Sequence, residues 1–304
     1  MGRFRAFEPT AYHLVDRATQ VWLPIGLAQW LQTKLLDIVD GKPPRVMRPS
    51  HKILEQSPTI RGDFVEKVRT QVINLHRGSV EHLTKDGLVI STMQGEETIT
   101  EELKADVIIA CTGYDQFDCP FLPGDVVRGP DTPANRVDLY KLIVPPRYDN
   151  LFMMGLAELV GPVGPTFEAQ ARWACSVLSG RIELPPEAKM REEVQKFQAW
   201  QEKHFLNTER HALLAYAVQY NDELLEPLGA VPSFGKCLGR VFTSGHPWRA
   251  LKVLNAVWFG IASAAQWRLF GYGAKRELAE ETLLRIGAGG KALSKGEVDQ
   301  LVIH

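Results

Sequence analysis

The stretch that decides the fold is Asp106-Val-Ile-Ile-Ala-Cys-Thr-Gly-Tyr114, in which an acidic residue opens a short apolar run that stops at Thr112-Gly113. Small and β-branched residues bounded by a charge and a glycine are typical of a strand buried on both faces of a parallel sheet. Because ligands of open α/β sheets lie beyond the carboxyl ends of the strands, Thr112 and Gly113 are candidates for ligand contact. The alternative interpretation is a core strand that ends in a turn and contacts no ligand.

The segments before this strand predict helices and then a β-rich module. Residues 10–40 have helical spacing and are closed by Gly41-Lys-Pro-Pro44, which cannot continue a helix. Asp86-Gly87 predicts a tight hairpin turn. The short alternating segments that predict strands are Gln71–Leu75, Gly78–Leu83, Gly87–Met93 and Glu97–Thr100.

The segments after it predict a second strand and a helical region. A buried strand is expected at Asn150–Leu156, followed by a helix over Thr166–Ser179 that Gly180 ends. Thr166 is the expected N-cap of that helix, with Glu168 in its first turn. Residues 187–284 are predominantly helical by pattern, with breaks near Pro227, Pro232 and Gly245-His-Pro247.

Composition and charge limit the classes of function. The chain has 304 residues, 45% of them apolar, which suits one or two folded domains. The net charge of −1 gives no sign of nucleic-acid binding. The four cysteines lack the spacing of metal ligands or of a disulfide framework, so we expect no metal site and a reducing compartment. Without the apolar core of a signal peptide near Arg3 and Arg5, the expected location is cytoplasmic.

Two apolar stretches are similar to membrane segments in composition. Trp22–Ile38 contains interspersed Gln and Lys residues and predicts an amphipathic helix. Val253–Ala265 is too short for the roughly 20 residues that span a bilayer, and it predicts a buried or interfacial helix. We therefore expect no transmembrane span, while peripheral membrane contact stays open and the oligomeric state is not defined.

Several further segments occur in a characteristic order, and together with the Thr-Gly-Tyr strand they resemble the C-terminal half of the flavin-containing monooxygenases. This is the N- and S-oxygenating, dimethylaniline monooxygenase-like family, and the resemblance covers roughly residues 20–285. No single motif would suffice, but the ordered set is specific. The segments are Arg48–Thr59, Leu139-Tyr-Lys-Leu-Ile-Val-Pro-Pro146, Asn150–Leu156, Gly161–Trp173, Tyr220-Asn-Asp-Glu-Leu-Leu225 and Gln266-Trp-Arg-Leu-Phe-Gly271.

The resemblance implies an α/β fold that is only part of a two-dinucleotide-binding-domain, FAD/NAD(P)-binding, Rossmann-like architecture with a helical C-terminal region. The family carries two glycine-rich turns that bring backbone N–H groups to a pyrophosphate, and this sequence contains neither. We therefore expect an incomplete chain. Residues 1–105 would be the latter part of the NADPH-binding domain with the β-rich module, 106–185 the C-terminal part of the FAD-binding domain, and 186–304 the helical region.

The implied function is FAD- and NADPH-dependent oxygenation of a small molecule at nitrogen or sulfur. In such enzymes the cofactor performs the difficult step and the protein positions it and excludes water, so no catalytic triad or acid–base pair is expected. Catalytic residues therefore stay unknown. Two alternatives remain: a Baeyer–Villiger monooxygenase, and a non-catalytic remnant of the family that acts as an interaction module.

Two segments are the expected neighbours of the flavin. The first is the end of the buried strand, and the second is a Gly/Pro loop leading into a helix whose unsatisfied N–H groups suit the electron-rich edge of a flavin. A capped helix without a ligand is the alternative for the second segment. The predicted cofactor-binding residues are Thr112, Gly113, Tyr114, Gln116, Pro165, Thr166 and Gln170.

Three other residues have simpler interpretations. Arg172 and Trp173 lie a turn or more beyond the helix start and are expected to anchor the helix to its neighbours. Lys141 either approaches a phosphate, neutralises an acidic neighbour or is solvated.

Overall fold

The computed structural model describes residues 17–39, 44, 47, 51–52, 55–56, 63–94, 97–113, 119–130 and 132–287. Helices and strands are mixed, as expected of an α/β protein, and short 3₁₀ turns connect some of them. Within the described residues, no helix is long and apolar enough to cross a membrane. The helices are α1 Arg17–Trp22, α2 Ile25–Val39, α3 Phe64–Arg69, α4 Val163–Leu178, α5 Glu187–His204, α6 Ala217–Leu225, α7 Phe234–Thr243, α8 Pro247–Phe259 and α9 Arg276–Gly287. The strands are β1 Ser79–Thr84, β2 Gly87–Gln94, β3 Glu97–Lys104, β4 Glu158–Val160 and β5 Leu214–Tyr216.

The first three strands form an antiparallel meander in the order β1-β2-β3. Thr84 pairs with Gly87 across a two-residue turn, which confirms the predicted hairpin. Gly87 is required by packing, since a Cβ there would lie 1.9 Å from the carbonyl oxygen of Leu103 on β3. The module is thin: every residue of β1 before Thr84 is exposed, and so is nearly all of β3.

A second, parallel pair of strands lies at the centre of the helical part. Glu158 pairs with Leu214 and Val160 with Tyr216, and β5 is buried throughout. Parallel strands require a long crossover connection, and here α4 and α5 supply it. The sequence did not predict β5, because its three residues lie in a stretch of helical character.

Two apolar clusters stabilise the helical part. The larger one joins the 126–144 loop region to α4, α5 and α6, and includes the fully buried Trp173 and Ile143. The smaller one joins α1, α7, α8 and α9 through residues such as Val257 and Leu283. The predicted helical region over residues 187–284 is confirmed, with its breaks at the 3₁₀ turn Glu226–Leu228 and at residues 244–246.

The prediction of a buried strand at Asp106–Ala110 is wrong for this chain. Residues 107–113 form no strand or helix, and Val107, Ile108 and Ile109 are exposed. A strand needs a hydrogen-bonded neighbour, and within the described ranges no strand pairs with this segment. Just before this segment, the Ala105 N–H donates a hydrogen bond to the Asp86 carbonyl of the β-rich module.

Two other predicted strands are also wrong. Gln71–Leu75 forms a turn after α3, with Gln71 at φ 58°, a conformation that a strand does not contain. Asn150–Leu156 is irregular, because it packs along a turn and pairs with no strand in the described ranges. The Met153 N–H donates to the carbonyl of Ile143 at 2.8 Å. The strand of this region begins only at Glu158.

Helix α4 begins three residues earlier than predicted. Pro162 is its N-cap, so the assignment of Thr166 as N-cap is wrong, and Glu168 lies in the second turn. The helix can begin before Pro165 because the first N–H groups of a helix have no intrahelical partner, so a proline in the first turn breaks no hydrogen bond. The predicted end is confirmed: Gly180 has φ 70°, and the N–H groups of Gly180 and Arg181 close the helix on Val177 and Ser176.

Candidate functional site

The loop between β4 and α4 is fixed by a close backbone approach. Gly161 follows Val160 directly at φ 141°, and a Cβ there would lie 2.7 Å from the Cβ of Ala217 on α6. Only glycine fits this position without displacing α6. The loop therefore delivers the start of α4 to a defined position beside α6.

The first turn of α4 presents backbone donors that no side chain caps. Pro162 makes no side-chain cap bond, and the 16-residue helix has no acidic residue in its first turn. A helix start of this kind carries unsatisfied N–H groups and a partial positive charge, which favour an electron-rich ligand. Val163 and Gly164 are exposed there, so a ligand has access to the first turn.

Thr166 lies in that first turn and is fully buried, but its hydroxyl has no hydrogen-bond partner. A buried hydroxyl without a partner is destabilising by about 1–3 kcal/mol, and most such groups in proteins are satisfied by protein, water or ligand. Thr166 is thus a polar group in need of a partner, at the start of an uncapped helix.

Gln170, one turn further along α4, is fully buried, and both ends of its side-chain amide make hydrogen bonds. Its Oε1 accepts from the Gly155 N–H at 3.0 Å, and its Nε2 donates to the Tyr220 hydroxyl at 2.9 Å. The Tyr220 hydroxyl in turn donates to the Lys141 carbonyl at 2.6 Å. Burial raises the pKa of Tyr220 above its ordinary value, which keeps the phenol protonated as a donor. One chain of hydrogen bonds therefore joins the loop at Gly155 to α4, α6 and the turn at Lys141.

That turn holds an unusual backbone. Lys141 and Leu142 both have positive φ, 52° and 54°, which costs free energy for residues other than glycine. The Tyr140 N–H bonds the Val144 carbonyl at 2.7 Å and closes the turn, and the Tyr220 bond fixes it from α6. Lys141 neutralises an acidic neighbour, with Nζ 2.6 Å from Glu223, which is one of its three predicted roles.

A cavity of about 270 Å³ lies next to this turn. Tyr140, Lys141 and Glu223 line it, with Glu193 and Phe197 from α5. Burial and the nearby carboxylates of Glu193 and Glu223 raise the pKa of the Tyr140 phenol. Sequence reasoning did not identify this cavity or the Gln170–Tyr220–Lys141 chain, because residues 50 and 79 positions apart carry no common signal.

The predicted cofactor residues fall into two groups that no hydrogen bond joins within the described ranges. Pro165, Thr166 and Gln170 lie together on α4, whereas Thr112 and Gly113 lie at the exposed end of the 107–113 segment. Gly113 has φ 94°, and a Cβ there would meet nothing within 4 Å, so its backbone is open to approach. Tyr114 and Gln116 lie outside the described residues.

Arg172 anchors α4, as predicted. Its guanidinium donates to the carbonyls of Trp267 and Tyr272 at 2.9 and 2.8 Å. Glu168 adds a second link with Arg268 at 2.6 Å. The start of α4 is therefore held from three directions, by α6, by the Tyr220 chain and by the 264–272 segment.

Comparisons with known proteins agree with the resemblance. A sequence model of the flavin-binding monooxygenase-like family matches residues 9–295. The chain is 30% identical to flavin-containing monooxygenase 5 of Cavia porcellus over 229 residues, 75% of this chain and 39% of that protein. It is 29% identical to dimethylaniline monooxygenase [N-oxide-forming] 2 of Rattus norvegicus over 253 residues, 83% of this chain and 44% of that protein. The chain thus spans less than half the length of these relatives.

Proposed function

Because the chain belongs to the flavin-binding monooxygenase-like family, we propose that it forms part of a monooxygenase that uses FAD and NADPH to oxygenate a nitrogen or sulfur atom of a small molecule. In this proposal residues 1–105 belong to the NADPH-binding domain, 106–185 to the FAD-binding domain and 186–304 to a helical C-terminal region. The incomplete coverage of the relatives supports a portion rather than the whole of the enzyme.

The observation that carries the proposal is the start of α4. The uncapped first turn offers N–H donors, and the orphaned hydroxyl of Thr166 lies beside them. The polar edge of a flavin ring has carbonyl and ring-nitrogen groups that match both, so the residues present fit this part of FAD. Gly164 and Pro165 carry no bulky polar side chain that would compete for the same donors.

Gln170 acts in the proposal as a positioning residue. Both ends of its amide already have protein partners, so it holds α4 against Gly155 and Tyr220. Thr112 and Gly113, with Tyr114 and Gln116, would form the second contact, where an open glycine backbone allows close approach. None of these side chains needs to act as an acid or a base.

When bound, FAD reduced by NADPH would activate dioxygen, so that one oxygen atom is transferred to a soft nucleophile such as an amine or thioether and the other leaves as water. The residues of this chain then have two tasks. They bind the flavin edge at the start of α4, and the buried side chains of Trp173 on α4 and Tyr220 on α6 exclude water from the interior beside it.

A flavin titration of the purified chain tests the α4 contact. Because the sequence has no glycine-rich turn for the pyrophosphate, we expect weak binding of FAD that is lost on gel filtration. Thr166→Val should weaken the quenching of flavin fluorescence. Thr84→Val is the matched control, because Thr84 also has a buried hydroxyl without a partner but lies in the β-rich module.

Equal FAD affinities for the Thr166 and Thr84 variants would contradict the proposed contact between Thr166 and the flavin. FAD retained in stoichiometric amount through gel filtration would contradict the proposal that the chain is only a portion of the FAD-binding unit.

A product assay tests the reaction. The longest open reading frame that contains this sequence is expressed and supplied with FAD, NADPH and three substrates: a tertiary amine, a thioether and a cyclic ketone. An N-oxide and a sulfoxide are expected. A lactone from the ketone as the main product would favour the Baeyer–Villiger alternative, and no NADPH-dependent product would favour a non-catalytic remnant.

A further inference from the structure

The cavity beside the turn at Lys141 has charges of both signs in its wall. It has a volume of about 270 Å³ and lies between that turn, α5 and α6. Four of its lining side chains are ionised at neutral pH, two of each sign, so the wall has no net charge. These four are Lys141, Lys196, Glu193 and Glu223.

Lys141 supplies a cation that its protein partner does not saturate. Its side chain is 13% exposed, and its Nζ lies 2.6 Å from Glu223 and 5.3 Å from the centre of the Tyr140 ring. An ammonium group has three N–H donors, and within the described residues Glu223 is the one hydrogen-bond acceptor of this group. The Nζ of Lys141 therefore has donors left for a ligand in the cavity.

Glu193 supplies the opposite charge. Lys196 pairs with Glu192 on the same helix, and within the described part of the chain Glu193 itself takes part in no salt bridge. Burial, and then the charge of Glu193, raises the pKa of Tyr140, so the phenol stays protonated and can donate to this carboxylate. A carboxylate accepts up to about four hydrogen bonds, so Glu193 can also accept from the ammonium group of a ligand.

The remaining wall of the cavity is apolar and suits a hydrocarbon side chain. Leu139, Leu142 and Val194 are buried there, and the rings of Tyr140 and Phe197 complete the lining. Apolar walls with a few polar groups at fixed positions are typical of small-molecule sites, which have volumes of roughly 300–1,000 Å³ for drug-sized ligands. The volume of this cavity lies just below that range, so the ligand it fits is small.

We propose that this cavity binds a small zwitterion, namely an α-amino acid with an apolar side chain. The ligand carboxylate accepts from Lys141 and Lys196, and the ligand ammonium group donates to Glu193. Its side chain contacts Val194 and Phe197. A ligand with a single charge is disfavoured, since a cation meets two ammonium groups and an anion meets two carboxylates. No residue of α4 lines the cavity, so the proposal goes beyond the flavin contact and does not depend on it.

Isothermal titration calorimetry of the intact chain with L-leucine, in the absence of FAD, tests the proposal. Two analogues of similar shape carry one charge each: isopentylamine lacks the carboxylate of leucine, and 4-methylpentanoate lacks its ammonium group. Each analogue should bind about tenfold or more weakly than L-leucine, because it loses the hydrogen bonds of one charged group and leaves the opposing charge of the cavity unpaired.

Two variants separate the two ends of the ligand. Glu193→Gln should weaken the binding of L-leucine and isopentylamine about tenfold or more and should not weaken that of 4-methylpentanoate. Lys196→Gln should weaken L-leucine and 4-methylpentanoate and spare isopentylamine, with a smaller effect because Lys141 is still present. Lys196 is 65% exposed and Glu193 is partly exposed, so both variants should keep the parent's thermal melting.

The matched control is Glu187→Gln, which makes the same change of charge on the same helix but lies outside the cavity lining. This variant should bind all three compounds as the parent does. Hydrogen exchange locates the ligand independently: L-leucine should slow exchange in residues 139–144 and 193–197 and leave the β-rich module unchanged.

Four results would overturn the proposal. They are no binding of L-leucine at millimolar concentration, equal losses in Glu193→Gln and Glu187→Gln, protection from exchange only outside the two segments, and an analogue that binds as tightly as L-leucine. In the last case tight binding of isopentylamine would assign the cavity to an organic cation, and tight binding of 4-methylpentanoate would assign it to an anion.

Discussion

Two apolar triplets of nearly the same composition, Val107-Ile108-Ile109 and Leu142-Ile143-Val144, lie in opposite environments. The first is 77%, 47% and 80% exposed, and the second 2%, 0% and 0%. The buried triplet is held by its own turn and by the Tyr220 bond to Lys141, and it belongs to the same core as Trp173. The exposed triplet follows β3, and no strand in the described ranges pairs with it. Apolar composition thus indicates that a segment requires burial, but the partner that buries it lies elsewhere in the fold.

The difference agrees with the coverage of the relatives. The chain spans 39% of one relative and 44% of another, so these proteins contain much further sequence that could supply a neighbouring strand. We interpret residues 107–113 as the edge where such a strand would add. This interpretation makes the two triplets a matched pair for experiments.

The largest expected effect comes from the same substitution in each triplet. Ile143→Ala should lower the free energy of unfolding by about 2–5 kcal/mol, because it leaves a cavity in a closed core. Ile109→Ala should change it by less than about 0.5 kcal/mol, since the side chain is already in water. Urea denaturation followed by tryptophan fluorescence measures both. A large loss in the Ile109 variant would show that the segment packs against something in solution.

Two cysteines report on the same contrast without any substitution. Cys111 is exposed in the irregular segment, whereas Cys237 is buried under α8 with its pKa raised to about 11 by burial. At neutral pH a thiol with that pKa has roughly 100-fold less thiolate than a free cysteine. Iodoacetamide labelling followed by peptide mass spectrometry should modify Cys111 first, together with the exposed Cys175, and Cys237 only on unfolding.

Slow labelling of Cys111 in the isolated chain would contradict the exposure of residues 107–113, because the segment would then be covered. Protection of Cys111 only in a longer protein that contains this sequence would sharpen it, because the added part would be the missing neighbour.

The sequence predicted features that depend on local chemistry and missed those that depend on distant neighbours. The hairpin at Asp86-Gly87 and the helix end at Gly180 were correct, and Gly180 determines the helix end locally through its positive φ. The strand at Asp106–Ala110 was wrong because a strand is completed by its neighbour. Strand β5 was missed for the same reason, since Leu214–Tyr216 becomes a strand only by pairing with β4.

The candidate site shows the same limit. Thr166 and Gln170 were selected correctly as members of one helix, but the N-cap was placed on Thr166 rather than Pro162. No local pattern could show that the Gln170 amide is occupied by Gly155 and Tyr220. The assignment of these residues to flavin contact stays a prediction.

The smallest expected effect is a change in how the free energy of unfolding falls at alkaline pH. Burial, with a contribution from Glu55, raises the pKa of Tyr216 to about 12, and its hydroxyl has no partner. A raised pKa means that the folded protein holds this proton more tightly than the unfolded chain, whose tyrosines titrate near 10. The stabilisation is therefore complete below pH 10 and is lost as the pH rises from 10 to 12, by about 1 kcal/mol at pH 11.

Tyr216→Phe should remove that part of the alkaline loss, because the ring still packs against Phe205 and Trp200 while no phenol is left to ionise. The free energy of unfolding at pH 8, 10 and 11 is compared for the parent, Tyr216→Phe and the control Tyr272→Phe, whose ring is 54% exposed. The Tyr216 variant should show the shallower decline and the control the same decline as the parent. Identical profiles for all three proteins would mean that Tyr216 is hydrated in solution, and that the buried region around β5 is more open than the core that holds Ile143.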